Sequence, residues 1–356
     1  MNAAPEPGAA SQSPPGSSPP AWRESVAAYE RPSWGRGALD LATSIVPAVA
    51  LVALMYLTLG EVPYWATLAL AITTGGFLLR TFIVFHDCGH GSFLPSRRAN
   101  LWVGRLTALV VFQPFASWRH SHAVHHGTAG DLDRRGTGDI PTLTLEEYLA
   151  APWRARLGYR LFRNPLVMFG LGPMWSLMIG PRIWSRSMRP RQRRSVLVTN
   201  LALAVLIGAT CWLVGWQAWL LVQLPAALLA GMAGVWLFYV QHQFEDVYWE
   251  SGESWGYADA ALRGSSYLRL PRLLRFFTGN IGLHHVHHLS AKVPNYNLQR
   301  AHDENPIFHE VPVLSVRDGL GAVRLKVIDP EAGRMLTWSE VRARRATVPA
   351  PSPAPL

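Results

Sequence analysis

Four stretches of the chain are apolar for long enough to cross a bilayer, and the rest is read around them. A spanning helix needs roughly 20 mostly apolar residues at a rise of about 1.5 Å each. Residues 41–59 and 62–85 form a first pair, joined by a tight turn at Gly60 and Glu61. Residues 196–216 and 218–241 form a second, with Gln217 at the turn. Arg80 falls near the end of the second span, where its long side chain is expected to snorkel to the headgroups. Two weaker stretches do not span. Residues 106–118, bounded by Arg105 and Arg119, are too short, and residues 164–181 are broken by Pro165, Gly170, Gly172, Pro173 and Gly180. Both are read as interfacial or re-entrant.

Composition agrees with that pattern. Hydrophobic residues make up 49% of the 356 and charged residues only 16%, where a soluble domain carries about 25%. A disordered chain is excluded, and two cysteines, Cys88 and Cys211, cannot build a disulfide scaffold. The first twenty residues, rich in Ala, Pro, Ser and Gly, read as a disordered tail without a secretory signal, and the Pro/Ala-rich end after Arg345 as another. The expected organisation is a cytosolic N-terminal tail over 1–38, a membrane domain over 39–310, and a cytosolic C-terminal tail over 311–356 with a disordered end.

The net charge of +10 is almost all arginine, since Lys292 and Lys326 are the only lysines. Beside four bilayer-length runs this charge does not read as a nucleic-acid interface; anionic lipid or an acidic protein partner suits it better. Sixteen arginines lie between the two helix pairs and none in the tight turns. Positive-inside bias then puts both termini and the long middle segment in the cytoplasm. The second and fourth spans deliver their last residues to that side. The fold expected is an all-α integral membrane protein, with four transmembrane helices in two hairpins and a cytosolic helical cap.

The chemistry lies in the histidines. Ten of the 13 fall in three windows: His86 and His90; His120, His122, His125 and His126; His284, His285, His287 and His288. On helices, His86 and His90 share one face, as do His122, His125 and His126, and again His284, His287 and His288. His120 and His285 project elsewhere, and isolated His302 and His309 read as surface or core residues. Eight aligned imidazoles exceed what one ion takes, so two metal ions are implied, with Zn, Cu, Fe or Ni all compatible. Without paired CxxC motifs structural zinc is disfavoured. Cys88 is not expected to ligate. Asp87, Asp131, Asp133, Asp139, Glu245 and Asp246 are candidates to orient ligating rings or to pair with arginines. Asn280 is a candidate helix cap or metal-site neighbour. Trp118, Trp236, Trp249 and Trp255 are expected to anchor the membrane interface.

The three boxes, HxxxH, HxxHH and HxxHH, resemble those of the membrane fatty acid desaturases. The linking text HDCGHGSF, WRHSHAVHHGTAGDLDRRGTGD, YRLFRNP, MFGLGP, GSSYLRLP and TGNIGLHHVHHLSAKVPNYNLQRAH is similar to the bacterial acyl-lipid branch, from about Arg80 to His302. That resemblance implies two non-haem iron ions held by His86, His90, His122, His125, His126, His284, His287 and His288. It implies O2 and two electrons used to introduce a double bond into a membrane-lipid acyl chain. It also implies a ninth ligand before the last box, and His242, emerging at the cytosolic end of the fourth span, is the candidate. Relatives of the acyl-CoA type carry an asparagine four residues earlier, where this chain has Phe238. Alternatives on the same scaffold are a lipid or carotenoid hydroxylase or ketolase. A histidine-rich metal transporter fits worse, because the spans hold almost no ionisable residue besides Arg80. No cytochrome-b5-like extension and no Gly-rich dinucleotide motif appear. Electrons are therefore expected from a separate carrier such as ferredoxin or a cytochrome b5-like protein, at a bacterial inner membrane.

Overall fold

A computed structural model describes residues 21–347. The tails expected over 1–20 and beyond residue 347 lie outside the described residues. A short helix α1 (Ala21–Ala27) precedes the first hairpin, α2 (Trp34–Thr58) and α3 (Tyr64–His90). Helices α4 (Arg97–Val110) and α5 (Phe115–Thr128) follow, then α6 (Leu145–Ala150) and α7 (Trp153–Phe162). The second hairpin is α8 (Pro190–Val214) and α9 (Trp216–His242). Among the described residues, these two hairpins are the four helices long and apolar enough to cross a membrane. Helix α3 is central, packing on α2, α4 and α9.

The spanning helices outrun their apolar runs. Helix α3 continues through Asp87 to His90 and stops where Gly91 adopts φ +76° and donates its N–H back to the carbonyls of Asp87 and Cys88, a left-handed cap open to glycine. The second hairpin turns at Gly215, φ +85°, and not at Gln217, which lies inside α9. The turn goes to the residue that can take positive φ.

The two weaker stretches meet each other. Residues 106–118 are not one segment: α4 ends at Val110, and α5 begins after Phe112, at φ +54°, and Pro114. Gln113 Nε2 donates to the Ser176 carbonyl at 2.8 Å, and Arg182 Nη2 to that of Phe112 at 2.5 Å. Residues 166–171 and 174–179 are short helical turns with i→i+5 hydrogen bonds, as from Gly172 to Val167 and from Gly180 to Trp175. The prolines and glycines that forbid a straight span allow these wide turns.

The cap comprises α10 (Tyr257–Arg263), β1 (Tyr267–Leu268), α11 (Arg272–Phe277), α12 (His284–Leu289) and α13 (Asn295–Glu304). The flanks depart from the expected tails. Residues 21–38 already contain α1 and the first turn of α2, with Val26 and Tyr29 buried against the cap. Residues 311–347 form β2 (Val313–Leu314), α14 (Val316–Ala322), β3 (Leu325–Asp329), β4 (Arg334–Thr337) and α15 (Trp338–Thr347). Strand β2 pairs parallel to β1, and β3 with β4 antiparallel. Val327, Ile328, Met335 and Leu336 bury this hairpin in the protein. Strand β3 is buried at every position, so it lacks the polar alternation that would announce a strand.

Candidate metal centre

Four elements deliver nine imidazoles to one place. Helix α3 brings His86 and His90 in its last turn, and α5 brings His122, His125 and His126. Helix α9 ends on His242, and the six-residue α12 carries His284, His287 and His288. Gln241 fixes the junction by donating Nε2 to the Ile281 carbonyl at 2.8 Å. Close approach of α4 and α5 depends on Gly104, where a Cβ would lie 2.3 Å from the Phe115 ring.

The nine divide into two groups. His86, His90, His122, His126 and His287 form one; His125, His242, His284 and His288 form the other. Within each, one nitrogen per ring lies within 4.8 Å of all the others. Each i,i+4 pair stays together, so His86/His90, His122/His126 and His284/His288 each serve one group. His125 and His287, the middle histidines of the two HxxHH boxes, cross to the other group. Box membership and group membership therefore differ. The groups adjoin: the rings of His126 and His288 stack at 4.1 Å.

The residues present fit metal ions. His242 Nδ1 donates to the Gly264 carbonyl at 3.1 Å, and His125 Nδ1 faces Asp139 Oδ1 at 2.5 Å. Each contact fixes the ring proton on Nδ1 and leaves a lone pair on Nε2. These two Nε2 atoms lie 3.2 Å apart, and His284 Nε2 lies 2.9 Å from that of His242. Two lone pairs facing each other at that distance repel unless a cation lies between them. Nitrogens each about 2.1 Å from one ion and at right angles would be about 3.0 Å apart, which matches. In the other group His126 Nε2 lies 3.2 Å from His122 Nε2 and 3.0 Å from His287 Nε2. His90 Nε2, His126 Nδ1, His284 Nδ1 and His288 Nε2 are buried with no protein partner. Burial first, then the neighbouring imidazoles, holds His122, His126, His284, His287 and His288 well below the usual imidazole range. They stay neutral, the form that ligates.

Of the candidate acids, two reach the rings. Asp87 Oδ1 meets His86 Nδ1 at 2.9 Å, and Asp139 meets His125. Asp139 follows Gly138, at φ +81°, where a Cβ would lie 2.6 Å from the Ser121 carbonyl oxygen. The others do not. Asp131 pairs with Arg134, Asp133 accepts the Gly252 N–H, and Glu245 pairs with Arg334. Glu245 and Asp246 are exposed, so a backbone carbonyl rather than a nearby acid orients His242. Asn280 neither caps α12 nor reaches the histidines; at φ +59° it donates to the Asn295 carbonyl. Cys88 is buried outside both groups. Phe238 packs edge-on against His125 and His242, giving that flank an apolar wall.

The four tryptophans are partly buried and have partners inside the protein. Trp118 stacks on His122 at 4.4 Å, Trp236 and Trp249 pack on the core around Tyr239, and Trp255 donates to the Ala129 carbonyl. They brace the protein interior. His285, expected to project away, is fully buried and meets His302 Nδ1 at 3.1 Å, while His120 is partly exposed.

Sequence reasoning missed a relay behind His86. Asp87 Oδ2 accepts the Asn295 backbone N–H and side-chain Nδ2, at 2.7 and 3.0 Å, and Asn295 Nδ2 also donates to Asp40 Oδ2 at 2.9 Å. Asp40 in turn pairs with Arg80, which also donates to the Phe276 carbonyl. Arg80 thus points into the protein instead of snorkelling. The one signal was an aspartate, Asp40, immediately before the first apolar span.

Comparisons with known proteins agree with this geometry. A fatty acid desaturase of Bacillus subtilis is 44% identical over 328 residues, covering 92% of this chain and 93% of that one. An sn-1 oleoyl-lipid 12-desaturase of Synechocystis is 29% identical over 260 residues, 73% of this chain and 74% of its own. An sn-1 acyl-lipid omega-3 desaturase (ferredoxin) of Synechocystis is 30% identical over 232 residues, 62% of each chain. The family model described as fatty acid desaturase matches residues 63–313, and the chain, an integral membrane oxidoreductase, belongs to that family.

Proposed function

We propose that this protein is an acyl-lipid desaturase with a di-iron centre, using O2 and two electrons to introduce a cis double bond into a membrane-lipid acyl chain. The observation that carries the reading is the sorting of nine imidazoles into a group of five and a group of four, with lone pairs facing inward. The relatives named for acyl-lipid substrates and for ferredoxin support the substrate class and the donor.

In this reading His86, His90, His122, His126 and His287 hold one iron, and His125, His242, His284 and His288 the other. Methylene C–H bonds offer nothing to a general base, and the iron pair supplies the oxidising power when bound. The protein's own work is orientation and exclusion. Asp87, Asp139 and the Gly264 carbonyl set which nitrogen of His86, His125 and His242 faces inward. Burial of every residue of α12 keeps water from that wall of the site. The arginine-rich middle segment suits an acidic donor at a cytoplasmic face of a bacterial inner membrane.

Lipid profiling of a host expressing the gene tests the activity. New fatty acids two mass units lighter than their precursors are expected; a gain of one oxygen would make it a hydroxylase. Metal analysis of purified protein should find about two irons per chain, the number two sets of four to five nitrogen ligands call for. His242→Ala should reduce this to about one while His120→Ala keeps both. Retained iron and unsaturation in His242→Ala would return that histidine to a structural role.

A further inference from the structure

A second polar site lies on the far side of Arg163 from the histidines. Arg163 is fully buried, and its guanidinium donates to Thr142, Tyr239, Gln243 and the Leu325 carbonyl, all neutral acceptors. Its Nε is buried without a partner. Lys326, also buried, donates Nζ to the carbonyls of Arg163 and Val323. Two neighbouring cations are thus removed from water with no carboxylate bonded to either, an arrangement that is costly unless an anion offsets it. Burial, and then Arg163, pull the Lys326 ammonium down to about 8.

Both residues line one cavity of about 470 Å³, together with Arg160, Arg324 and Arg342, with the Arg163 guanidinium sealed beneath its floor. Ser339 adds a hydroxyl, and no acid is among the lining residues. Glu340, the acid on α15, sits at its edge, where its carboxylate accepts the Thr337 hydroxyl and pairs with Arg334. The cavity is therefore a preformed receptor for an anion, with a buried floor and an exposed guanidinium rim.

The rim shows which anion. Helix α7 exposes Trp153, Leu157 and Leu161, an i, i+4, i+8 stripe, and Leu166 just beyond is 82% exposed. Tyr159 turns inward from α7, and exposed Arg160 donates its Nε to the Tyr148 hydroxyl at 2.6 Å. An apolar stripe headed by tryptophan beside a cationic pocket is the pattern of a helix lying at a lipid headgroup layer. Free phosphate would have no use for it.

We propose that the cavity between α7, β3 and α15 binds the phosphodiester of a phospholipid headgroup, with Lys326 at its floor, the Arg163 charge buried beneath, and Arg324 and Arg342 at its mouth. The inference rests on the membrane placement of the desaturase reading and not on its metal chemistry. Because Arg163 also holds Gln243, the residue after His242, an occupied pocket is joined to the second histidine group by a single side chain.

Native mass spectrometry of the full chain in detergent micelles tests this, with phosphatidylglycerol as probe and a neutral glucosyl diacylglycerol of the same acyl chains as comparison. Wild type should retain phosphatidylglycerol and release the glycolipid. Arg324→Gln/Arg342→Gln should weaken retention by about tenfold or more, the loss expected for two charge-assisted contacts. Arg186→Gln/Arg194→Gln removes equal charge outside the pocket and should bind like wild type. Equal weakening in both pairs, or equal retention of the glycolipid, overturns the proposal. Inorganic phosphate binding as tightly as the lipid would assign the pocket to free phosphate and overturn the lipid source. Unchanged lipid retention with slower reduction by ferredoxin would give the surface to the electron donor instead. His125→Ala should keep its lipid while losing about one of its two irons, so failure of the desaturase reading and of this one are told apart.

Discussion

The two halves of the histidine centre are made of the same ligand and braced in different ways. The five-histidine half is tied to the helix bundle: His86 leans on Asp87, Asp87 on Asn295 of α13, and Asn295 on Asp40 of α2 with its partner Arg80. The four-histidine half is tied to irregular backbone: His125 leans on Asp139 in the loop after α5, and His242 on the Gly264 carbonyl. The first brace also holds helices together, whereas the second, besides aiming rings, ties only the exposed loop at Gly136 to Asp139. Damage to the first should cost stability as well as metal. Damage to the second should cost metal alone.

The largest effect comes from removing the histidines that cross between groups. His287→Ala and His125→Ala should each abolish detectable unsaturated product, a loss of at least about a hundredfold, since even residues behind the ligands cost 10–100-fold. Iron analysis sharpens the comparison: each variant should keep about one ion, in opposite halves. Loss of both irons from both variants would show that the halves form one cooperative unit and break the distinction.

Next come the two braces themselves. Asp139→Asn and Asp87→Asn should each lower activity or iron affinity by about 10–100-fold. Only Asp87→Asn should also lower the thermal midpoint of metal-free protein. Its Oδ2 accepts two buried hydrogen bonds from Asn295, and disrupting them costs roughly 1–3 kcal/mol. Equal midpoints for the two variants would mean that the relay through Asn295 and Asp40 contributes nothing to folding.

Acid should act on both halves alike. Unfolded histidines take up protons near pH 6.5, whereas His122, His126, His284, His287 and His288 are held well below that by burial, and His285 is pushed down to about 3. As pH falls below about 6.5 the unfolded chain binds more protons than the folded one, so stability is present above that pH and lost below it. The limiting slope is about 1.4 kcal/mol per pH unit for each such histidine. Thermal melts of metal-free protein between neutral pH and pH 5 measure it; a flat profile would mean that these rings take up protons in the folded state.

These contrasts also mark what was legible in the sequence. Spacing alone put His86 with His90 and His122 with His126, because i,i+4 is a property of the helix itself. Spacing could not divide His125 from His126, neighbours in sequence that serve different groups, since that follows from how α5 meets α3, α9 and α12. His242 had no neighbour to announce it and was reached through topology and resemblance. Asp87 and Asp139 stood among six equivalent acids, and only tertiary packing separates them from Glu245 and Asp246. The β3–β4 hairpin was missed because both faces are buried, and Asn295 and Arg163 because a buried polar side chain leaves no periodic trace.

The smallest effect is expected at the two histidines that the three windows contain but the groups exclude. His285 is buried, touches His302 and packs on Phe308. His285→Ala leaves His302 Nδ1 without its partner and opens a gap behind α12, for a loss of roughly 1–3 kcal/mol with both irons still bound. His120 is partly exposed and joins neither group. Its replacement should fall within about 0.5 kcal/mol of wild type, as ordinary surface changes do. The pair thus brackets the ligands from below: one variant less stable with its metal intact, the other unchanged. If His285→Ala instead lost iron while melting like wild type, the separation of bracing residues from metal-holding ones on α12 would fail at its most closely packed point.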